Sequence, residues 1–300
     1  MKKKFVAFGC KTNTSTHSYI HYAYQRAFES LGWESHWIDN PDIESFDFSD
    51  SVILTLGGWD SNLPIRKDCK YILHNCDINR YSDVIDNSLI LQVFTTDVYD
   101  RNVEKIDDFI YYQKDKQFGT NVLYQPWATD LLPSEIKDLD RLNFVDDKTV
   151  YWVGSVWDGG SDSNGYEYGN MSEIQKLKNS LSSRGINFDN KKCDYNDNKS
   201  VINKSYISPA IQGRWQCEKG YIPCRIFKNI SYGEFGITNS KYVNELFQDM
   251  IVYDNDIESM VQKSLDKRSS ITVEELNNQI RFVREKHTYI NRIQNILKVI

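Results

Sequence analysis

Short apolar runs alternate with polar loops and amphipathic stretches along the first half of this chain. Residues 4–8, 33–38, 51–56, 71–76 and 89–94 have the length and β-branched or aromatic content of strands, and residues 17–31 have the spacing of a helix stopped by Gly32. Strand–loop–helix–strand alternation predicts a mostly parallel sheet with helices on its faces. In such sheets ligands bind beyond the carboxyl ends of the strands. The pattern restarts at residues 149–153, followed by a glycine-containing loop, a helix over 172–184 and a strand near 186–188. Further strands are predicted at 206–210, 235–238 and 251–253, and helices at 257–266 and 272–286. No sequence is repeated, only an architecture, which predicts a second α/β domain.

Between the halves, Pro126 and Pro133 fix an extended path for residues 125–133, and the charged run 134–148 holds the boundary. The expected domains are 1–140, 141–280 and a terminal helix over 281–300. That helix carries Ile290, Ile293, Ile296, Leu297 and Ile300 at helical spacing, an apolar stripe that would pack back on the first domain.

Residues 220–239 organise the second half. Pro223 stands where a helix begins and Gly233 where it ends. Ile222, Ile226 and Ile230 would face a sheet, while Arg225, Lys228 or Asn229, and Tyr232 share another face. Cations in the first turns oppose the helix dipole, and a bound anion would remove the conflict. The competing reading is a surface helix with solvated Arg and Lys.

Charge and composition narrow the partners. The net charge of −6 over 300 residues argues against sequence-independent binding to duplex nucleic acid. Met1-Lys2-Lys3-Lys4 resembles the start of a signal peptide, but the apolar run after it is too short. No stretch reaches the ~20 apolar residues of a membrane span, so a cytosolic protein with at most peripheral membrane association is expected. Cys10, Cys69, Cys76, Cys193, Cys217 and Cys224 form no Cys-x-x-Cys pair, which predicts reduced thiols and no zinc site.

Three loops fall at the carboxyl ends of the first-half strands: residues 9–16, 57–60 and 74–77. The first lacks a G-x-G-x-x-G or Walker pattern. Asp60, His74 and Asp77 are the candidates for a general base. Each also has a structural reading, Asp77 as a turn cap and His74 as a satisfied strand-end residue. His17 and His21 stand four apart, but no Glu follows His17 as in a zinc motif, so they read as incidental helix residues.

The stretch Gly220-Tyr221-Ile222-Pro223-Cys224-Arg225-Ile226-Phe227-Lys228-Asn229-Ile230-Ser231-Tyr232-Gly233 resembles the G-y-x-x-x-R-x-f-E-x-x-a-x-G segment of GT-B glycosyltransferases of the short, family 1-like type. Val153-Gly154-Ser155 resembles their V-G-S/N loop. Residues 125–130 resemble their p-x-g-x-d segment, and His287-Thr288-Tyr289 with Arg292 resembles their terminal H-T-Y-x-x-R helix. The likeness touches most of the second half and scattered points of the first.

The resemblance implies two Rossmann-like domains flanking a cleft. It also implies transfer of a sugar from a UDP- or GDP-linked donor to a glycan hydroxyl, with no cofactor and no metal. The diphosphate would lie at the start of the helix near Pro223, with Arg225, Lys228 and Arg214 neutralising it. Gly154 and Ser155 would allow close approach of the backbone. Tyr221 or Tyr232 would bound the base or sugar, and Asn229, Asn239 and Ser240 would add contacts. Lys228 stands where the family often has Glu, which favours pyrophosphate or an acidic sugar over ribose hydroxyls. The alternatives are a phage-type DNA glycosyltransferase, which the acidic balance opposes, and a non-catalytic sugar-nucleotide or glycan-binding protein.

Overall fold

The computed structural model describes residues 3–12, 15–94, 103–114 and 120–300. Of the polar loop predicted at residues 9–16, Asn13 and Thr14 lie outside the described residues, as do Met1 and Lys2 of the lysine-rich start. The chain divides into two units, Met1–Asp130 with Tyr289–Ile300, and Leu131–Thr288.

In the first unit, β1 (Lys4–Phe8) leads to helix α1 (Thr16–Ser30) and β2 (Glu34–Ile38). Ser15 caps α1 by accepting from the Ser18 amide, and Gly32, at φ 84°, turns the chain after it. Strands β3 (Ser51–Leu56), β4 (Lys70–His74) and β5 (Ser88–Gln92) follow. A pair not foreseen from sequence comes next, β6 (Glu104–Asp107) and β7 (Ile110–Lys114), and then β8 (Asn121–Tyr124). The sheet order is β2-β1-β3-β4-β5-β8-β7-β6, parallel as far as β8 and antiparallel beyond it. Every residue of β3 is buried, as expected of a central parallel strand covered on both faces. Phe5, Val6 and Phe8 of β1 are also fully buried, each worth roughly 1.5–3 kcal/mol of transfer free energy.

The helix Tyr289–Val299 belongs to this unit and contributes Ile293 and Ile296 to its core. Its Arg292 is fully buried and donates from Nε to the Pro126 carbonyl at 2.7 Å and from Nη2 to the Trp127 carbonyl at 3.1 Å. Two segments far apart in sequence thus close on each other through one guanidinium. Burial holds its pKa down to about 10.

The second unit begins with β9 (Thr149–Val153), helix α2 (Met171–Ser182) and β10 (Asn187–Lys191), which pairs parallel to β9. Short helices α3 (Asn198–Ile202) and α4 (Arg214–Glu218) precede α5 (Cys224–Ser231). Then come β11 (Ile237–Thr238), α6 (Lys241–Leu246), β12 (Val252–Tyr253), α7 (Ile257–Ser270) and α8 (Val273–Lys286). The strand expected at 206–210 is an extended segment instead. It joins its neighbours through the Tyr206 amide to the Thr149 carbonyl and the Ala210 amide to the Ile237 carbonyl, both 2.8 Å. Pro209 has no N–H to give a ladder there. Helix α8 starts at a capping box, in which Thr272 and Glu275 exchange backbone and side-chain hydrogen bonds. Among the described residues, no helix is long and apolar enough to cross a membrane.

Candidate functional site

In the second unit, the carboxyl end of β9 and the start of α5 meet through Arg225. Its guanidinium lies over the buried Trp152 ring, 3.5 Å from the centroid, and donates from Nη2 to the Val153 carbonyl at 3.2 Å. Glycine is required at 154, because a Cβ there would overlap Nη2 of Arg225 and the backbone adopts φ 149°. Surrounding protein lowers the Arg225 pKa to about 10, yet part of its surface stays in solvent and no carboxylate among the described residues pairs with it. Helix α5 has no acidic residue in its first turn, so the cation adds to the positive end of the helix. A guanidinium in this setting is pre-oriented for an anion.

The solvated-surface reading of α5 fails. Lys228 is 5 % exposed and directs Nζ to Asn198 Oδ1 of α3 at 3.3 Å. Ile222, Ile226 and Ile230 are fully buried. Lys228 and Arg225 thus turn to different partners, one to α3 and the other to β9. Tyr232 packs in a small apolar cluster with Val153 and Ile202. Asn229 donates to the Ser208 carbonyl at 2.7 Å. Asn239 clips Gln212, accepting from its amide and donating to its carbonyl, both at 2.9 Å. Ser240 is fully buried at the start of α6. Asn229 and Asn239 thus secure backbone groups of neighbouring segments. Arg214 is exposed, paired with Glu218 at 2.8 Å and stacked over Tyr166. Ser155 is exposed beside Gly154, and its carbonyl accepts from Asn170 at 3.1 Å; Tyr221 is partly exposed.

The chain also places Glu234 here, directly after Gly233, and sequence reasoning passed over it. Its carboxyl is buried, and desolvation raises its pKa to about 8 against the opposing pull of Arg268. Nothing in the local sequence marks it, since burial of a lone Glu is a tertiary property.

In the first unit, the order of growth of the sheet reverses between β1 and β3, the position at which open parallel sheets form a crevice. The loops after β3 and β4 touch: the Gly57 amide donates to the His74 carbonyl, and a Cβ at Gly57 would overlap the Asn75 carbonyl. Asp60 is buried, accepts from the Tyr81 hydroxyl at 2.6 Å and lies 3.6 Å from Arg80. His74 is buried, its Nδ1 3.0 Å from the Leu91 carbonyl, so that Nδ1 carries the proton. Asp77 is an exposed cap, accepting from the Asn79 amide at 3.1 Å.

His17, read as incidental, faces His74 at 6.1 Å between ring centroids. Burial, His74 and His21 together lower its pKa to about 4. His21 bonds the Gly9 carbonyl at 2.9 Å and is likewise lowered to about 4, chiefly by desolvation. The three rings stand neutral at pH 7. No group of three or more His, Cys, Asp or Glu among the described residues could hold a metal ion.

Each unit is therefore a parallel-rich α/β body with its polar candidates at the carboxyl ends of strands. No protein-family model matches the chain, and no curated protein matches it in sequence. Among solved structures, the chain is similar to an alpha-glucosyltransferase (AGT) in complex with UDP. That match has a TM-score of 0.53 at 9% identity and covers 99% of both chains. At this identity the likeness is one of fold.

Proposed function

We propose that this protein is a nucleotide-sugar-dependent glycosyltransferase of GT-B type, with its donor diphosphate taken by the second unit at Arg225 and the start of α5. The observation that carries the reading is the partly buried guanidinium on Trp152, at a helix amino end with no acidic residue in its first turn and no ion-pair partner among the described residues. The UDP in the structural neighbour is the chemistry such a site would receive. In the reaction, the bond from the anomeric carbon to the diphosphate oxygen breaks and the nucleoside diphosphate leaves with the electron pair. The acceptor hydroxyl forms the new bond and loses its proton. Arg225 and the amino end of α5 would meet the charge growing on the leaving group, a task that metal ions perform elsewhere. In an inverting enzyme the first unit would supply the proton acceptor, with Asp60 and His74 ahead of Asp77, whose carboxylate caps a turn.

A panel of UDP- and GDP-sugars tests the reading through thermal shift and slow donor hydrolysis. The reading predicts stabilisation by at least one nucleoside diphosphate and slow release of its sugar to water. Stabilisation without hydrolysis would instead indicate a binding protein, and the absence of both would refute the proposal.

A further inference from the structure

We infer that the loop and helix following β9 form a docking site for a neutral oligosaccharide. A cavity of about 400 Å³ lies there, lined by Asp158 and Glu167 of the loop and by Met171, Ser172, Gln175 and Asn179, with Lys176, from α2. Apart from Met171 and the lysine, the lining side chains are carboxylate, amide or hydroxyl groups. That set both accepts from and donates to hydroxyls, the functional groups a sugar presents in every direction.

Met171 in the cavity wall is exposed, with 50% of its surface free, and Trp157, the residue before the lining Asp158, is exposed with 37% free. Large apolar side chains this open are few among the described residues; the others are Leu31, Trp59 and Leu297. An open indole offers a flat face to sugar C–H groups. Further aromatic rings follow: Tyr166, which carries Arg214 over its ring, lies 5.4 Å from Tyr168, and Tyr168 lies 6.2 Å from Trp215 of α4. That extent suits several sugar units rather than one.

The loop is ordered by its own hydrogen bonds. Asn170 accepts from the Trp157 amide at 3.0 Å and donates to the Ser155 carbonyl at 3.1 Å. Asp162 accepts from the amides of Asn164 and Tyr166, and the Tyr168 amide reaches the Gly160 carbonyl. Trp157 is thus presented on an ordered frame, which limits the entropy lost on binding.

Charge decides the class of partner. Asp158 and Glu167 are acidic, and Lys176 is paired to Glu173 at 3.1 Å, so the cavity repels polyanions. A nucleic acid or an acidic glycan is disfavoured there. This inference deepens the transferase reading by naming the class of its acceptor, and it is tested by binding without turnover, so each can fail alone.

The full chain is probed on an array of neutral oligosaccharides and with a single-stranded and a duplex DNA 20-mer, beside Trp157→Ala and Asp158→Asn/Glu167→Gln. Melting curves confirm that the variants fold, and a UDP titration runs in parallel. The expected result is binding of at least one neutral oligosaccharide, weakened about tenfold or more in both variants, with UDP binding unchanged. Failure of every oligosaccharide to bind, equal binding by the variants, or DNA binding that the variants lose would each overturn the inference. The UDP arm reports on the donor site alone.

Discussion

Replacing Gly154 by Ala perturbs the candidate site through one added methyl group. The backbone there has φ 149°, a region that L side chains enter only with strain, which costs about 1–3 kcal/mol. For a domain of this size that corresponds to a loss of about 2–12 °C in Tm. The methyl also overlaps Nη2 of Arg225, so the guanidinium must leave Trp152 and the Val153 carbonyl. If that guanidinium grips a diphosphate through charge-assisted hydrogen bonds, its displacement removes roughly 2–4 kcal/mol, or about 30- to 1000-fold in affinity. Calorimetric titration of UDP and GDP into wild type, Gly154→Ala, Arg225→Ala and the double variant separates the effects. Both single variants act through one guanidinium, so the double variant should bind about as weakly as Arg225→Ala alone. Wild-type affinity in Gly154→Ala, or losses that add in the double variant, would refute this reasoning.

Two predictions concern pH. Glu234 has a folded pKa of about 8 against 4.5 when unfolded, so the folded state holds more protons across that window and stability falls as pH rises through it. Glu234→Gln should remove that loss, gaining about 2–5 kcal/mol over wild type above pH 8 in urea denaturation and little near pH 4.5; equal pH slopes would contradict it. His17 and His21 run the other way, with folded pKa values of about 4 against 6.5 unfolded, so the unfolded state binds more protons and stability falls as pH drops from 6.5 towards 4. His21→Asn should flatten the acid limb of the stability profile, and an unchanged limb would count against a neutral buried imidazole.

The alternation of apolar runs and polar loops was enough to foresee a parallel-rich α/β fold, because strands covered on both faces must be continuously apolar. The hairpin of β6 and β7 escaped notice since β6 is charged and the short run Ile110-Tyr111-Tyr112 of β7 is largely half-exposed. Arg225 was legible as a cation at a helix start, but its seat on Trp152 was not, for the ring comes from a strand more than 70 residues earlier. Lys228 shared its helical face in the sequence reading, yet packing turned it to Asn198, where side-chain direction rather than spacing decides. Asn239, read as a strand-end ligand contact, also secures the Gln212 backbone, a role that depends on a partner 27 residues away. The approach of His17 to His74 likewise required the sheet to bring the first turn of α1 to the end of β4.

A crystal structure of the UDP or GDP complex tests the central claim most directly. The account predicts a phosphate oxygen within about 2.7–2.9 Å of an Arg225 guanidinium nitrogen, with the diphosphate facing the first turn of α5. A nucleotide bound elsewhere, with Arg225 still resting on Trp152 and untouched by phosphate, would contradict it.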